Sequence, residues 1–291
     1  MAQPSVPPAP RVPLVPPAGP DPAGPGDTGS RPELEPFYRP RGGGRFHATG
    51  STTGPWFTDA QHAGPPSALL VRALERCADV ADPQFSRVSI EILGPVPAGD
   101  VEVTAQVDRA GRAIELSSAV LHAGGRAVMR AAAWRVAAGD TVVAATGPAD
   151  PLPPPSEATE RADRPDGWLP GYLDAMQWRW VRGWLGEPGP GAVWGRLRVP
   201  VVEGEEPTPL QRLAALADSA NGAGAPLDVR SWLFVNTDLT LHLHRMPVGE
   251  WMAIDAATVV GPTGMGTASA ALHDERGHLG RCAQALLVRP R

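Results

Sequence analysis

Residues 65–92 read PPSALLVRALERCADVADPQFSRVSIEI, and the period of the apolar residues changes within them. Leu69, Leu70, Ala73, Leu74, Cys77 and Ala78 fall on one side of a helix, and Arg72, Glu75, Arg76 and Asp79 on the other. That is the repeat of a helix with one buried stripe. Pro65 and Pro66 suit its first turn, where a missing N–H costs little. From Val88 the period is two. Val88, Ile90 and Ile92 alternate with Ser89 and Glu91, and Val101, Val103, Ala105 and Val107 alternate with polar residues. Turn signals at 108–111 and 123–125 separate the strands. Strands of this length joined by short turns predict an antiparallel sheet whose apolar face one long helix covers.

The second half repeats this order. Thr208, Pro209 and Gln211 form an N-cap, a first-turn proline and a capping-box partner. Leu210, Leu213, Ala214 and Ala217 supply the buried stripe, and Asn221 with Gly222 ends the helix. Strands are expected near 232–245, 251–260, 265–273 and 279–289. A short echo supports duplication. Ser118-Ala119-Val120-Leu121-His122 returns as Ser269-Ala270-Ala271-Leu272-His273, each followed by a glycine-containing turn and a strand with an arginine, Arg130 or Arg281.

Composition limits the rest. The chain has 291 residues, 42% of them hydrophobic and 20% charged, which fits a globular protein of two ordinary domains. A formal charge of -5 argues against nucleic acid, which demands a basic face. No stretch is apolar enough to span a membrane, and no basic segment followed by an apolar one opens the chain. The expected location is the cytoplasm. Cys77 and Cys282 stand alone in apolar settings and read as buried small side chains, without the pairing that a zinc site needs. Residues 1–36 are mostly Pro, Gly, Ala and Ser, and they read as a disordered tail. Residues 146–167, with Pro151, Pro153, Pro154 and Pro155 before a charged run, read as a linker. The globular parts are then 37–145 and 168–291.

Several residues could carry chemistry. Asp218 sits late in the second helix, where a carboxylate opposes the helix dipole. Gln284 shares a strand face with Cys282, Leu286 and Val288, and a buried amide left unpaired costs about 1–3 kcal/mol. Its counterpart in the first half is Ala133. Alternation puts Asn236, Asp238, Thr240, His242 and His244 on one strand face, and Thr237, Leu239, Leu241 and Leu243 on the other. Two alternate histidines suggest a metal, but no third ligand is evident and no metal is expected. His62 and Gly64 precede the first helix, and a glycine there lets a substrate carbonyl approach backbone N–H groups at the positive dipole end. Trp178, Trp180, Trp184, Trp194, Trp232 and Trp251 read as packing residues, with one or two of them lining an apolar pocket.

The chain resembles the acyl-CoA thioesterase II-like family of double-hotdog proteins. The residues that carry the resemblance are His62-Ala63-Gly64-Pro65-Pro66, Asp218 with Asn221-Gly222, Asn236-Thr237-Asp238-Leu239-Thr240 through His244-Arg245, Glu250-Trp251 and Ala283-Gln284. It implies an α+β fold of two tandem hotdog domains, each a long helix wrapped by an antiparallel sheet. It also implies metal-independent, cofactor-free hydrolysis of an acyl-CoA substrate by a water that an Asp, a Gln and a hydroxyl residue orient. These map onto Asp218, Gln284 and Asn236, where Asn replaces the hydroxyl; Thr237 takes that place if a bulge shifts the strand. A homo-oligomer is left open. Two other readings stand beside it. One is a hotdog hydratase or dehydratase using His62 and Glu75, and the other is a non-catalytic acyl-CoA binder.

Overall fold

The structure is a computed structural model and describes residues 34–77, 84–147, 149–165 and 167–291. The expected tail lies outside the described residues as far as 33, but its last three residues belong to the fold. Leu34 packs on the core, the Glu35 N–H donates to Ser51 Oγ at 3.1 Å, and Thr49 Oγ1 donates to the Pro36 carbonyl at 2.7 Å. Phe37 and Tyr38 are wholly buried. The boundary therefore falls earlier than composition alone places it, because a few apolar residues next to a core suffice to anchor a chain end.

A hairpin of β1 (Tyr38–Gly42) and β2 (Arg45–Ala48) precedes α1 (Gly64–Arg76). Then come β3 (Gln84–Ile92), β4 (Asp100–Arg109), β5 (Ile114–Ala123) and β6 (Arg126–Val136). The second half contains β7 (Thr159–Glu160), α2 (Tyr172–Ala175), β8 (Met176–Trp184), β9 (Glu187–Leu197), α3 (Pro209–Ala217) and α4 (Ala220–Ala223). It ends with β10 (Trp232–Asn236), β11 (Asp238–Leu243), β12 (Met252–Val260), β13 (Met265–Asp274) and β14 (Gly277–Pro290). Among the described residues the strands form one 14-stranded sheet in the order β1-β2-β4-β5-β6-β3-β11-β14-β13-β12-β9-β8-β7, with β10 also on β14. Its named ladders are antiparallel. The halves join at β3 and β11, where Ile90 faces Leu239. No described helix is long and apolar enough to cross a membrane.

The echo of Ser118–His122 in Ser269–His273 extends to a backbone defect. The β5–β6 ladder shifts register between Leu121 and His122, and the β13–β14 ladder shifts between Leu272 and His273. The same residue of each repeat carries the bulge.

The helices depart from the sequence reading in an informative way. α1 rests on β4, β5 and β6, α3 rests on β9 and β12, and the two helices rest on each other. They run antiparallel: Gly64 at the start of α1 meets Ala215 near the end of α3. At the other end, Glu75 accepts hydrogen bonds from Thr208 Oγ1 at 2.7 Å and Gln211 Nε2 at 2.6 Å. Glu75 was expected in solvent. Instead it sits at the N-terminus of α3, where a carboxylate complements the helix dipole, and burial raises its pKa against the opposing pull of those hydrogen bonds and of Arg76 and Arg72. Only half of the expected capping box forms: Thr208 Oγ1 accepts from the Gln211 N–H, while the Gln211 side chain turns to Glu75. Every residue of α3 from Leu210 to Ala217 is buried, because the sheet covers one side and α1 the other.

Residues 176–197 form two strands that the sequence did not signal, and the expected linker is docked rather than free. Thr159 pairs with Trp180, Trp194 Nε1 donates to the Pro153 carbonyl at 2.8 Å, and Arg179 Nη1 donates to the Pro155 carbonyl at 3.0 Å. Trp178, Trp180 and Trp194 are core residues. Trp232 is exposed, and Trp251 lies beneath Arg179 and Arg196. Cys282 is buried, which pushes its thiol up to about 12; Cys77 is half-buried.

Phe37, wholly buried, tests how firmly the start of the described chain is anchored to the core. Phe37→Ala is expected to lower unfolding free energy by about 3–5 kcal/mol, the range for removing a buried ring, as read by denaturant titration. A change below about 1 kcal/mol would show that Phe37 does not anchor the start of the fold.

Candidate active site

The crossing of the two helices depends on a missing side chain. A Cβ on Gly64 would stand 2.4 Å from the Ala215 carbonyl oxygen and 3.2 Å from the Tyr172 ring, so only glycine permits this approach. It brings the loop before α1 against the end of α3. The His62 N–H donates to the Thr52 carbonyl at 2.8 Å. Its ring stacks on Tyr172, with centroids 3.9 Å apart and planes 12° from parallel. The Tyr172 hydroxyl lies 2.8 Å from the Ala215 carbonyl, to which it donates, and 2.9 Å from Ser219 Oγ. Burial raises the Tyr172 pKa, so the phenol remains a neutral donor.

His62 Nδ1 lies 3.0 Å from the Gly64 nitrogen and 3.1 Å from Asp218 Oδ2. One nitrogen cannot serve both. Unprotonated, it accepts from the Gly64 N–H; carrying the proton, it donates to Asp218. Burial holds the imidazole below its ordinary pKa, with the Asp218 charge pulling the other way. The neutral ring has both tautomers available to it.

Asp218 closes α3 and is 3% exposed. The sequence predicted a helix running on to Asn221 and Gly222. Instead α3 stops at Ala217, and a short second turn, α4, follows. Gln284 bridges this break. Its Nε2 donates to the Asp218 carbonyl at 3.0 Å, and its Oε1 accepts from the Asn221 N–H at 3.0 Å. The side-chain amide thus pairs with two backbone groups beside the interrupted helix. Ala133, the counterpart of Gln284 in the first half, is also buried but apolar.

Asn236 Nδ2 donates to Asp218 Oδ1 at 2.8 Å. Strict alternation, which set Asn236 and Asp238 on one face, fails at this point. Asn236 pairs with Leu286, but Thr240 pairs with Ala283, so four steps on one strand match three on the other. That is one extra residue, a bulge. The Asp238 carboxylate turns to the Ala285 N–H at 2.6 Å, and Leu239 takes the buried face. Thr237 is exposed; its Oγ1 lies 3.3 Å from the Ala285 carbonyl, and its N–H donates to the same oxygen.

His62, Gly64, Asp218, Asn236 and Gln284 therefore converge, and Thr237 lies outside the cluster. His62 and Glu75, paired in the hydratase reading, are held apart by α1: His62 precedes the helix, and Glu75 lies eleven residues after Gly64, about 16 Å along the axis. His242 and His244 are exposed, and among the described residues no group of three His, Cys, Asp or Glu is placed to share an ion. Sequence reasoning missed Tyr172 and Ser219. Gly171 was the one available signal: its φ is 131°, and a Cβ there would stand 2.4 Å from the Thr53 carbonyl oxygen. This marks a tight approach just before Tyr172.

Residues 52–136 match the family description "Acyl-CoA thioesterase N-terminal domain", and residues 150–288 match "Acyl-CoA thioesterase C-terminal domain". No curated protein matches the sequence significantly. A protein of unknown function with a hotdog fold from Alicyclobacillus acidocaldarius superposes with a TM-score of 0.65 at 15% identity, over 86% of this chain and 94% of its own. An acyl-CoA thioesterase II from Mycobacterium marinum superposes with a TM-score of 0.63 at 15% identity, over 87% of this chain and 96% of its own. At such identities the likeness concerns the fold, which is of the hotdog type. Taken with the two matched domain descriptions, these findings place the chain in the acyl-CoA thioesterase family.

Proposed function

We propose that the protein hydrolyses acyl-CoA thioesters to a free acid and CoA, and that it is built of two tandem hotdog units, 37–145 and 168–291. The matching bulges of the two repeats support the second statement. The observation that carries the first is the buried Asp218 carboxylate, held by Asn236 on one oxygen and facing His62 with the other.

In this reading Asp218 is the general base. It takes a proton from a water as the water oxygen bonds to the thioester carbon. Asn236 commits its Nδ2 to Asp218, and its Oδ1 is the acceptor that orients the second water proton. Gln284 holds the backbone on both sides of the helix break and so acts as a positioning residue. The tetrahedral oxyanion meets the positive end of α1. When the His62 proton sits on Nδ1 and points at Asp218, the Gly64 N–H is released to donate to that oxyanion. Collapse breaks the C–S bond, and the CoA thiolate leaves and takes up a proton. Tyr172 keeps the imidazole in the plane that serves both partners.

The purified chain is expected to release free CoA from an acyl-CoA without added metal. Asp218→Asn, Gln284→Ala and Asn236→Ala should each lower turnover by about 10²–10⁴-fold, whereas Asn236→Thr should keep or raise it. Thr237→Val should change little. Full activity in both Asp218→Asn and Gln284→Ala would dissolve the proposed site, and loss in Thr237→Val alone would move it to Thr237. Binding of acyl-CoA with no thiol release would identify a non-catalytic binder.

Tyr172 is open to a second measurement. Tyr172→Phe keeps the ring stack and loses the hydroxyl contacts, while Tyr172→Leu loses both. The leucine variant should lose about 10–10²-fold in kcat with little change in KM, with most activity returning in the phenylalanine variant. Equal losses would assign the effect to the hydroxyl's hold on α3 rather than to the stacked ring.

A further inference from the structure

We propose that the cleft beside α4 receives the acyl chain and sets its accepted length, an inference that rests on the thioesterase reading above. The cleft has a volume of about 530 Å³ and its apolar walls are formed by Trp168, Trp184, Leu185, Ala225, Leu227 and Val229. Sites for small molecules span roughly 300–1,000 Å³. It opens where two apolar clusters part. Trp168, Trp184 and Leu185 are half-buried against the main core. Leu227 and Val229 are half-buried against a separate small cluster of Ala225, Phe234, Ala268, Leu286 and Val288. Each wall thus leaves apolar surface facing the gap, where a hydrocarbon chain gains by leaving water.

Two segments connect this cleft with Asp218. α4 leads from Asn221, whose N–H is held by Gln284, to Ala225 in the cleft wall. Seven residues separate Asp218 from Ala225, about 10 Å at helical rise. Gly222 lies on that path, and a Cβ added to it would stand 3.9 Å from Leu185 Cδ2. On the other side, Trp168 comes four residues before Tyr172, whose ring stacks on His62. In this proposal the thioester carbon lies beside Asp218, and the acyl chain follows α4 from there to the cleft wall at Ala225.

The charges of the rim decide which part of acyl-CoA enters. Arg161 pairs with Asp163 at 2.9 Å, Arg164 with Asp174 at 2.5 Å, and Arg230 with Asp228 at 3.2 Å. Glu187 adds a further negative charge to the lining. With its arginines paired, such a rim offers no net positive charge to the phosphates of the CoA nucleotide. The apolar end of the substrate fits and the anionic end does not.

The test reads binding rather than turnover. Non-hydrolysable S-alkyl-CoA thioethers of increasing chain length are titrated calorimetrically into the full-length protein. Affinity should rise about fourfold per buried methylene and then level off where the cleft is full. Leu185→Trp, which fills the cleft, should bring the plateau to shorter chains; Trp184→Ala, which widens it, should move the plateau to longer ones. Opposite shifts cannot both arise from misfolding. Affinity independent of chain length, or one plateau in all three proteins, would overturn the assignment. Length-dependent binding without any cleavage of acyl-CoA would defeat the hydrolytic reading and leave the cleft assignment standing, and cleavage without length-dependent binding would do the reverse.

Discussion

The rest of the structure depends on the contact between Gly64 and the Ala215 carbonyl. Any side chain at Gly64 would collide with that oxygen, and forcing the helices apart would separate His62 from Asp218. Core interiors pack too densely to absorb such a shift locally. The approach also juxtaposes two partial charges. The N-terminus of α1, positive by the sum of its peptide dipoles, lies beside the end of α3 that carries Asp218. A carboxylate at its own helix C-terminus is unfavourable, and the neighbouring helix offsets that penalty. At the far end the pattern reverses: Glu75 of α1 meets the N-terminus of α3 through Thr208 and Gln211. Antiparallel packing of two buried helices thus places each of these carboxylates near a positive helix end.

Around this frame the site is assembled from irregularities. α3 breaks after Ala217, and the amide of Gln284 pairs with groups on both sides of the break. The strand containing Asn236 gains a residue, and the bulge turns Asn236 inward while Thr237 faces out. A continuous helix would leave Gln284 with no carbonyl and amide to pair. A strand without the bulge would put Leu239 on the face opposite Asn236. Irregular backbone of this sort is a usual feature beside functional residues.

His62 shows why distance and chemistry must be read together. Its Nδ1 is near enough to both the Gly64 N–H and the Asp218 carboxylate to bond either, but one ring nitrogen has one lone pair or one proton. Burial keeps the ring neutral, so the choice is between tautomers rather than between charge states. A neutral switch of this kind needs no charge to be created in a buried place, where an unpaired ion is expensive.

Much of the fold was legible in the residues themselves, because periodicity reports which face of an element meets the core. The α1 stripe, β3 to β6 and β12 to β14 follow from it, and so does the inward face of Gln284 beside Cys282 and Leu286. Asp218 and Gln284 could be singled out because each is a polar residue at a position whose neighbours are apolar. β8 and β9 were not legible, since tryptophans, glycines and prolines obscure their alternation. Nor could the sequence reveal that α3 is buried on all sides, that Glu75 leaves solvent for the end of another helix, or that Tyr172 stacks on His62. Those contacts join residues far apart in the chain, and local pattern carries no information about which distant surface will cover a given face. Periodicity is a property of one element, whereas the bulge at Asn236, the break after Ala217 and the approach at Gly64 are settled by how several elements share one core.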